Sequence, residues 1–510
     1  MKNLKIYFTS DMHGYLYPTN YIDKEPKNIG LINMINDFKK DGNTLIIDAG
    51  DTIQGSPLTY YLSGKKFNIH PIADIMNAAG YDFVTLGNHD FNYGLLYLRK
   101  YLRTLNAKCL CANVVDKTGE LPILPYSIKT LENGLKVGII GITTDFINHW
   151  ERTENIANIS ITDTFEAVKY YFDEVKAASD IVIGLYHGGF EYDLNSHKQL
   201  MFTSENIAYK LCLEFDFDIL LTGHQHMSLA DTIINGTHVV QTPQRATSYV
   251  QIELNLNDDS SKTITSSLQK VKLNFENEIY NKYLPLENDV QQWLDTPIGF
   301  LDENLYPSSH LDMALNGSAL ANFINAVQLA ESSADISCTC FSNEIKGFDK
   351  NVTVRDVVST YMFPNTLVIV EINRTQLKTV LERCASYFSN NNGNISISDT
   401  FLKPKIQHYN YDYFANIDYT FDLNRPVGDR VVSIKFKGKE LDDTSKLSLV
   451  MNNYRSTGVG GYDVYKECPR LKEILVEMPE VIIDYFIKHK NVKVDKTKYI
   501  NIIYYFVPDL

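Results

Sequence analysis

The sequence predicts two α/β domains joined by a short helical stretch, and three observations carry that expectation. The first half alternates short β-branched runs with segments of helical periodicity. The chain has 510 residues, more than one hydrophobic core normally organises. Its composition turns polar at 257–262, before a second series of strands and helices begins near 298. The expected organisation is a first domain over 1–274, a helical linker over 275–297 and a second α/β domain over 298–510.

In the first domain each short apolar run ends in a polar cluster. Residues 4–8 lead to Thr9-Ser10-Asp11-Met12-His13-Gly14, 45–47 to Asp48-Ala49-Gly50-Asp51, and 83–86 to Gly87-Asn88-His89-Asp90. Residues 181–186 lead to His187-Gly188-Gly189, and 219–221 to Thr222-Gly223-His224-Gln225-His226. A further run at 137–141 ends in Ile142-Thr143-Thr144, which offers no obvious ligand. Open α/β sheets bind ligands beyond the carboxyl ends of their strands, so the five clusters are expected to converge. Helices are expected at 28–40, where Ile29, Ile32, Ile35 and Phe38 recur at helical spacing, and at 165–177. The linker reads as a helix interrupted by Pro285 and ended by Thr296-Pro297. In the second domain a helix is expected at 318–331, strands at 366–372 and 431–436, an aromatic loop at 409–414 and a mobile polar loop at 389–394.

A net charge of -14 argues against a broad surface for a nucleic-acid polymer or an anionic membrane. Seven cysteines, an odd number without zinc or redox spacing, read as reduced and mostly buried thiols. The first residues lack the features of a secretory leader and no run is long enough to span a bilayer. Taking Met1 as native, the expected location is cytoplasmic.

Chemistry concentrates in the polar clusters. Asp11, His13, Asp51, Asn88, His187, His224 and His226 are oxygen and nitrogen donors without a thiolate, a set suited to Mn²⁺, Fe²⁺, Zn²⁺ or Mg²⁺. Asp-x-His at 11–13 and His-x-His at 224–226 can each turn two side chains the same way. Five of the twelve histidines fall in these clusters. His70, His149, His197, His238, His310, His408 and His489 lack such context and read as structural. His89 is a proton carrier suited to neutral pH, and Asp90 a carboxylate able to fix the tautomer of a neighbouring imidazole.

In this order, D-x-H, G-D, G-N-H-D, H and G-H-x-H resemble the calcineurin-like metallophosphoesterase family. The resemblance implies a two-metal site, with Asp11, His13, Asp51 and His226 on one ion and Asp51, Asn88, His187 and His224 on the other. It implies His89 as the group that stabilises the transferring phosphoryl or protonates the leaving alkoxide, oriented by Asp90.

From about 298 onward, Asn316-Gly317-Ser318-Ala319-Leu320, Val352-Thr353-Val354-Arg355-Asp356, Asn365-Thr366-Leu367 and the stretch from Asn452-Asn453-Tyr454-Arg455 through Gly460-Gly461-Tyr462 resemble the C-terminal domain of the 5′-nucleotidase family. That resemblance implies a nucleotide substrate, with Tyr411 and Tyr462 stacking on the base and Asn453 and Arg455 in the binding loop. Asn416 stands where relatives usually have glycine. The loop that carries a phosphate-gripping arginine in the 5′-nucleotidase branch here reads Thr339-Cys340-Phe341-Ser342-Asn343-Glu344-Ile345-Lys346-Gly347-Phe348, without arginine. Asp51 through Leu58, Phe91-Asn92-Tyr93-Gly94 and Asn452 through Arg455 are instead similar to the 2′,3′-cyclic-nucleotide 2′-phosphodiesterase/3′-nucleotidase branch. The expected activity is that of this branch. A 5′-nucleotidase or nucleotide-sugar hydrolase, and a nucleotide-binding or interaction protein with an idle metal centre, are the alternatives.

Overall fold

The computed structural model describes residues 2–194, 199, 204–363, 365–403 and 406–505. The chain divides into two compact units, Met1–Gln291 and Gln292–Leu510, and the division falls inside the helix Glu278–Leu294.

The first unit is a sandwich of two sheets. One has seven strands, in the order Lys262–Lys270, Ser248–Leu256, Lys2–Thr9, Thr44–Asp48, Phe83–Val84, Lys108–Leu110 and Ile123–Leu124. The other has six, in the order Leu229–Ile234, Thr237–Gln241, Ile219–Thr222, Ile181–His187, Lys136–Thr143 and Tyr126–Thr130. Ile6, Phe8 and Ile47 from the first sheet and Ile139, Ile183 and Leu221 from the second share one core cluster in which each is 0% exposed. Each such side chain stabilises the fold by about 1.5–3 kcal/mol. On the outer face of the second sheet, Val168 and Val175 of helix Thr164–Ala178 and Leu211 of helix Ala208–Glu214 cover Val182 and Leu220. Burial on both faces is why these strands read as continuous apolar runs.

Lys2–Thr9, Thr44–Asp48 and Phe83–Val84 pair in parallel, as do Lys136–Thr143, Ile181–His187, Ile219–Thr222 and Thr237–Gln241. Their carboxyl ends therefore lie on one edge of each sheet.

The second unit holds a five-stranded sheet in the order Tyr413–Ala415, Ile336–Thr339, Lys446–Asn452, Leu367–Asn373 and Arg470–Ile474. Helix Ala319–Ser332, capped by the Ser318 hydroxyl on Ala321 N–H, buries Leu320, Phe323, Ile324 and Val327. A four-stranded sheet includes Val431–Phe436, and a three-stranded sheet includes Pro297–Leu301.

Three expectations are corrected. The helix anticipated at 28–40 is only Leu31–Ile35. Gly30 has φ 99°, and the amides of Leu31 and Ile32 donate to the carbonyls of Tyr15 and Leu16. The polar stretch at 389–394 is not a loose loop but the hairpin Phe388–Asn391 with Asn394–Ile397. Asn392 and Gly393 form its turn with φ 53° and 88°, the left-handed pair a tight hairpin requires. Pro285 does not interrupt Glu278–Leu294, which the first unit anchors: Tyr17 Oη donates to the Tyr283 carbonyl at 2.9 Å, and Tyr283 and Lys282 both reach Asp74.

All seven cysteines are free thiols, and burial pushes Cys111, Cys212 and Cys384 up to about 12. Thiolate chemistry is thereby suppressed. No helix of the described residues is long and apolar enough to cross a membrane.

Candidate metal centre

Backbone hydrogen bonds stitch the five loops together at the strand ends. Asp11 N–H donates to the Gly50 carbonyl at 2.9 Å, His13 N–H to Asp51 at 2.8 Å, and Thr144 N–H to His187 at 2.9 Å. Thr144, from the cluster without a ligand, thus fixes the chain beside one. Asp11, His13, Asp51, His224 and His226 all have positive φ, between 49° and 72°. L-residues avoid that region at a cost of about 1–3 kcal/mol each, so the tertiary structure holds five candidate ligands in strained conformations. Two glycines make room: a Cβ on Gly87 would lie 2.1 Å from Asp51 Oδ1, and one on Gly223 would lie 2.4 Å from Ser10 Oγ and 2.9 Å from Asp11 Oδ2.

The side chains form two groups whose donor atoms lie within 4.8 Å of one another: Asp11, His13 and His226, and Asp51, His187 and His224. Asn88 joins the second, its Oδ1 lying 3.2 Å from His187 Nε2 and 2.9 Å from His224 Nδ1. Asp11 and His187 are 0% exposed, Asp51 1% and His13 3%, whereas the side chain of His226 is 31% exposed and opens the centre to solvent.

Bonds on the far side of the imidazoles decide which nitrogen faces inward. His13 Nδ1 donates to the Gln54 carbonyl at 3.0 Å and His187 Nδ1 to the Ala49 carbonyl at 2.7 Å, leaving each Nε2 turned to the centre. His224 is held the other way: Nε2 meets Glu205 Oε1 at 3.1 Å and Nδ1 faces Asn88. Such partners orient metal-binding imidazoles and raise their basicity.

The electrostatics suit a cation. Burial opposes the charge on Asp11, but a hydrogen bond from His226 and the nearby imidazoles outweigh it and hold the carboxyl at about 2. Asp51 is likewise held well below the usual range, against burial, by His187 and His89. Burial drives His13 down to about 3, so its ring is neutral and its lone pair available. Burial acts the same way on His187, but Asp51 at 3.2 Å overrides it and lifts the ring to about 10. A divalent ion would take that proton's place beside Asp51. Two carboxylates, four imidazoles and an amide, with lone pairs aimed inward, fit two such ions.

Asp90 requires a correction. Rather than reaching His89, its carboxylate accepts the backbone N–H groups of Asp51, Thr52, Ile53 and Gly87 at 2.8–3.1 Å. It shapes the Asp51 loop. His89 instead places Nδ1 2.8 Å from Asn92 Oδ1, and its ring lies 5.3 Å from that of His13. Glu205 and the carbonyls of Gln54 and Ala49 could not be singled out from sequence, because their roles arise from contacts with no fixed spacing, whereas Asn92 lies one turn after His89 and its spacing of three residues was a local signal.

The aromatic residues expected to hold a base are also corrected. Tyr411 and Tyr462 are each 1% exposed. Tyr411 packs against Tyr387 and Tyr413 at 4.8 and 4.9 Å. Tyr462 lies between Arg455, 4.2 Å over its ring, and Tyr465, stacked at 5.8 Å, and its hydroxyl donates to the Asn410 carbonyl. Neither ring has a face that a base could cover. Arg455, 1% exposed, pairs with Asp412 at 2.9 Å and donates to the carbonyls of Val459 and Tyr409. Asn453 is exposed, and Tyr454 beside it is 43% exposed. Asn416 adopts φ 61°, which asparagine tolerates well, so the loop keeps a turn that glycine would make.

The remaining histidines sit outside the centre. His70 packs edge-on among Phe67, Tyr97 and Tyr101, His238 meets Ser266, and His310 stacks on His408. His149 lies against Phe146 and His489 against Tyr485. His197 lies outside the described residues.

Comparison with known proteins agrees with this architecture. The calcineurin-like phosphoesterase family model matches residues 4–228, and the 5′-nucleotidase C-terminal domain model matches residues 297–467. The chain is 26% identical to the trifunctional nucleotide phosphoesterase protein YfkN of Bacillus subtilis over 96% of its own length, spanning 38% of that longer protein. It is 25% identical to the 2′,3′-cyclic-nucleotide 2′-phosphodiesterase/3′-nucleotidase of Yersinia enterocolitica, over 89% of this chain and 80% of the relative. A Staphylococcus aureus structure, provisionally named a 5′-nucleotidase, superposes with a TM-score of 0.73 and 33% identity, covering 98% of this chain and 100% of that one. The two donor groups and the matching calcineurin-like phosphoesterase family support metal-dependent hydrolase chemistry in general. The chain belongs to the 5′-nucleotidase family, as a calcineurin-like metallophosphoesterase domain followed by a 5′-nucleotidase C-terminal domain.

Proposed function

We propose that the chain hydrolyses 2′,3′-cyclic nucleotides at the 2′ ester and then removes the 3′-phosphate at the same centre. The observation that carries this reading is the state of the arginines in the second unit. Arg355, Arg374, Arg425, Arg455 and Arg470 are paired with carboxylates. Arg383 donates to the Gly460 carbonyl and Ser386, and Arg430 to the carbonyls of Arg425, Ala385 and Phe388. A terminal phosphate carries close to two negative charges and favours a bidentate guanidinium, whereas a cyclic diester carries one, so these arginines support the first of the two reactions. The names of the Yersinia relative and of its Haemophilus influenzae counterpart support the same branch.

In this reading Asp11, His13 and His226 would hold one divalent ion, and Asp51, Asn88, His187 and His224 the other. Manganese, zinc, iron and magnesium all suit the donors. When bound, the ions supply an acidified water and positive charge for the phosphoryl oxygens. His89 gives a proton from Nε2 to the oxygen that leaves phosphorus, and Asn92 holds its Nδ1–H. Asn453 and Tyr454 offer the exposed polar and aromatic surface of the binding loop. The setting is a protein that meets single nucleotides rather than a nucleic-acid polymer or a membrane, in the cytoplasm.

The provisional name of the Staphylococcus structure favours a 5′-nucleotidase instead. Turnover with Mn²⁺ of 2′,3′-cyclic AMP, 3′-AMP, 5′-AMP and UDP-glucose separates the two, with His89→Ala as control. Preference for the first two is expected. Strong 5′-AMP turnover with none on the cyclic diester would overturn the proposal.

A further inference from the structure

Beyond the centre, a chain of polar side chains runs outward from His89. Asn92 Oδ1 lies 2.8 Å from His89 Nδ1, and Asn92 Nδ2 donates to Glu151 Oε2 at 2.6 Å. The other oxygen of Glu151 accepts the Arg152 amide at 2.7 Å and Asn155 Nδ2 at 2.9 Å. Asn155 Nδ2 also reaches the backbone carbonyl of Asn92 at 2.9 Å. Glu151 and Asn155 therefore grip both the side chain and the backbone of Asn92.

We propose that Glu151 is a positioning residue that sets the tautomer of His89 through the amide of Asn92. An ionised carboxylate only accepts hydrogen bonds, so Glu151 can face only the NH₂ end of Asn92. The amide oxygen must then face His89, and an acceptor there requires a proton on Nδ1. Nε2, on the opposite side of the ring, is left to carry the proton that moves during ester cleavage. Without Glu151 the amide can flip, present NH₂ to Nδ1 and fix the neutral ring as the Nε2–H form, a far weaker acid that has no Nδ1–H to keep and could give up its Nε2 proton only by becoming an imidazolate. A wrong tautomer of this kind is among the costliest defects an imidazole can carry in catalysis.

The catalytic consequence rests on the phosphoesterase reading above, and the balance of that step is simple. Water oxygen bonds to phosphorus, the ester P–O bond breaks, the departing alkoxide takes the Nε2 proton of the doubly protonated His89 ring, which keeps Nδ1–H on Asn92, and the proton shed by the attacking water restores Nε2–H. Ribose alkoxide needs that proton and p-nitrophenolate does not, so loss of the relay should be selective for the poor leaving group.

Two measurements on the full chain test the proposal. Long-range ¹H–¹⁵N correlation of histidine-labelled protein, with the His89 signal identified by its absence in His89→Gln, should show Nδ1–H in the wild type. It should show a shift toward Nε2–H in Glu151→Leu and Glu151→Gln. In the Mn²⁺ enzyme, Glu151→Gln should lower kcat on 3′-AMP by about 10–100-fold with little change in KM, and spare p-nitrophenyl phosphate. Asn92→Asp alone sets two carboxylates against each other, whereas Asn92→Asp with Glu151→Gln rebuilds an acceptor for His89 and a donor behind it. The double variant should therefore recover the tautomer and most of kcat. An unchanged tautomer in both Glu151 variants, an equal loss on both esters, or a double variant no better than the poorer single would each overturn the relay. If the wild type cleaves no ester, the functional reading fails by itself and the tautomer measurement still decides the role of Glu151.

Discussion

The metal-centre loops of the first unit and the Asp412–Arg455 knot of the second are both buried polar clusters built from residues that motifs brought to notice. They differ in what their side chains have left to do. In the first unit Asp11, Asp51, His13 and His187 are bonded from behind, and their remaining lone pairs point at one another across a gap with one exposed side at His226. In the second, Arg455 spends its guanidinium on Asp412 and two carbonyls, and Tyr462 spends its ring and hydroxyl on Arg455, Tyr465 and Asn410. Buried polar groups must be satisfied. Arg455 and Tyr462 use their donors inside their own cluster, although Asp412 Oδ2 and Asn410 Oδ1 keep no hydrogen-bond partner among the described residues, whereas the metal-centre loops turn several donor atoms toward one shared gap.

The largest expected effect breaks the first cluster. Asp51→Asn removes a charge from the donor group it forms with His187 and His224 and should cut phosphoesterase turnover by about 1,000-fold or more, the equivalent of several kcal/mol. Metal content by native mass spectrometry should fall with it while the fold persists. Retained metal and turnover would mean that the centre lies elsewhere.

The second prediction breaks the knot. Arg455→Met strands Asp412, 1% exposed, without its partner, and should destabilise the second unit by about 3–5 kcal/mol in urea unfolding. Metal binding should not change. A substrate KM that rises without loss of stability would return Arg455 to the binding site.

A third prediction compares imidazoles within the first unit. His70 has no hydrogen-bond partner for either ring nitrogen among the described residues, and burial drives its pKa from 6.5 to about 3. Between those values the unfolded state binds more protons than the folded one. Its stability contribution is therefore intact above pH 6.5 and falls, by about 1.4 kcal/mol per pH unit, as pH drops toward 3. His70→Phe should flatten the difference in urea midpoint between pH 7 and pH 5 relative to wild type. Parallel slopes would show that other groups govern the acid limb.

Much of the first unit was legible because its signals are local. Strands buried on both faces announce themselves as apolar runs, and the loops after them carry Asp11, His13, Asp51, Asn88, His187, His224 and His226 at short, fixed spacings. The Asn392-Gly393 hairpin was equally local and stood in the sequence as a turn signal hidden in a polar stretch. The helix at 28–40 was not legible, since Tyr15 and Leu16 capture amides that its periodicity assigned to helical bonds.

The sequence by itself determined the donor types, their order and the strands that present them, because those follow from residue chemistry and periodicity over a few positions. Only the tertiary structure decided which carboxylate serves which imidazole. Asp90, next to His89 in the chain, turns to the amides of the Asp51 loop, while Glu151 reaches His89 through Asn92 from 59 residues beyond that asparagine. The same holds for Tyr411 and Tyr462, whose rings the fold closes over. Hydrogen bonds act over about 3 Å in space, and neighbours at that range are set by packing, not by position along the chain.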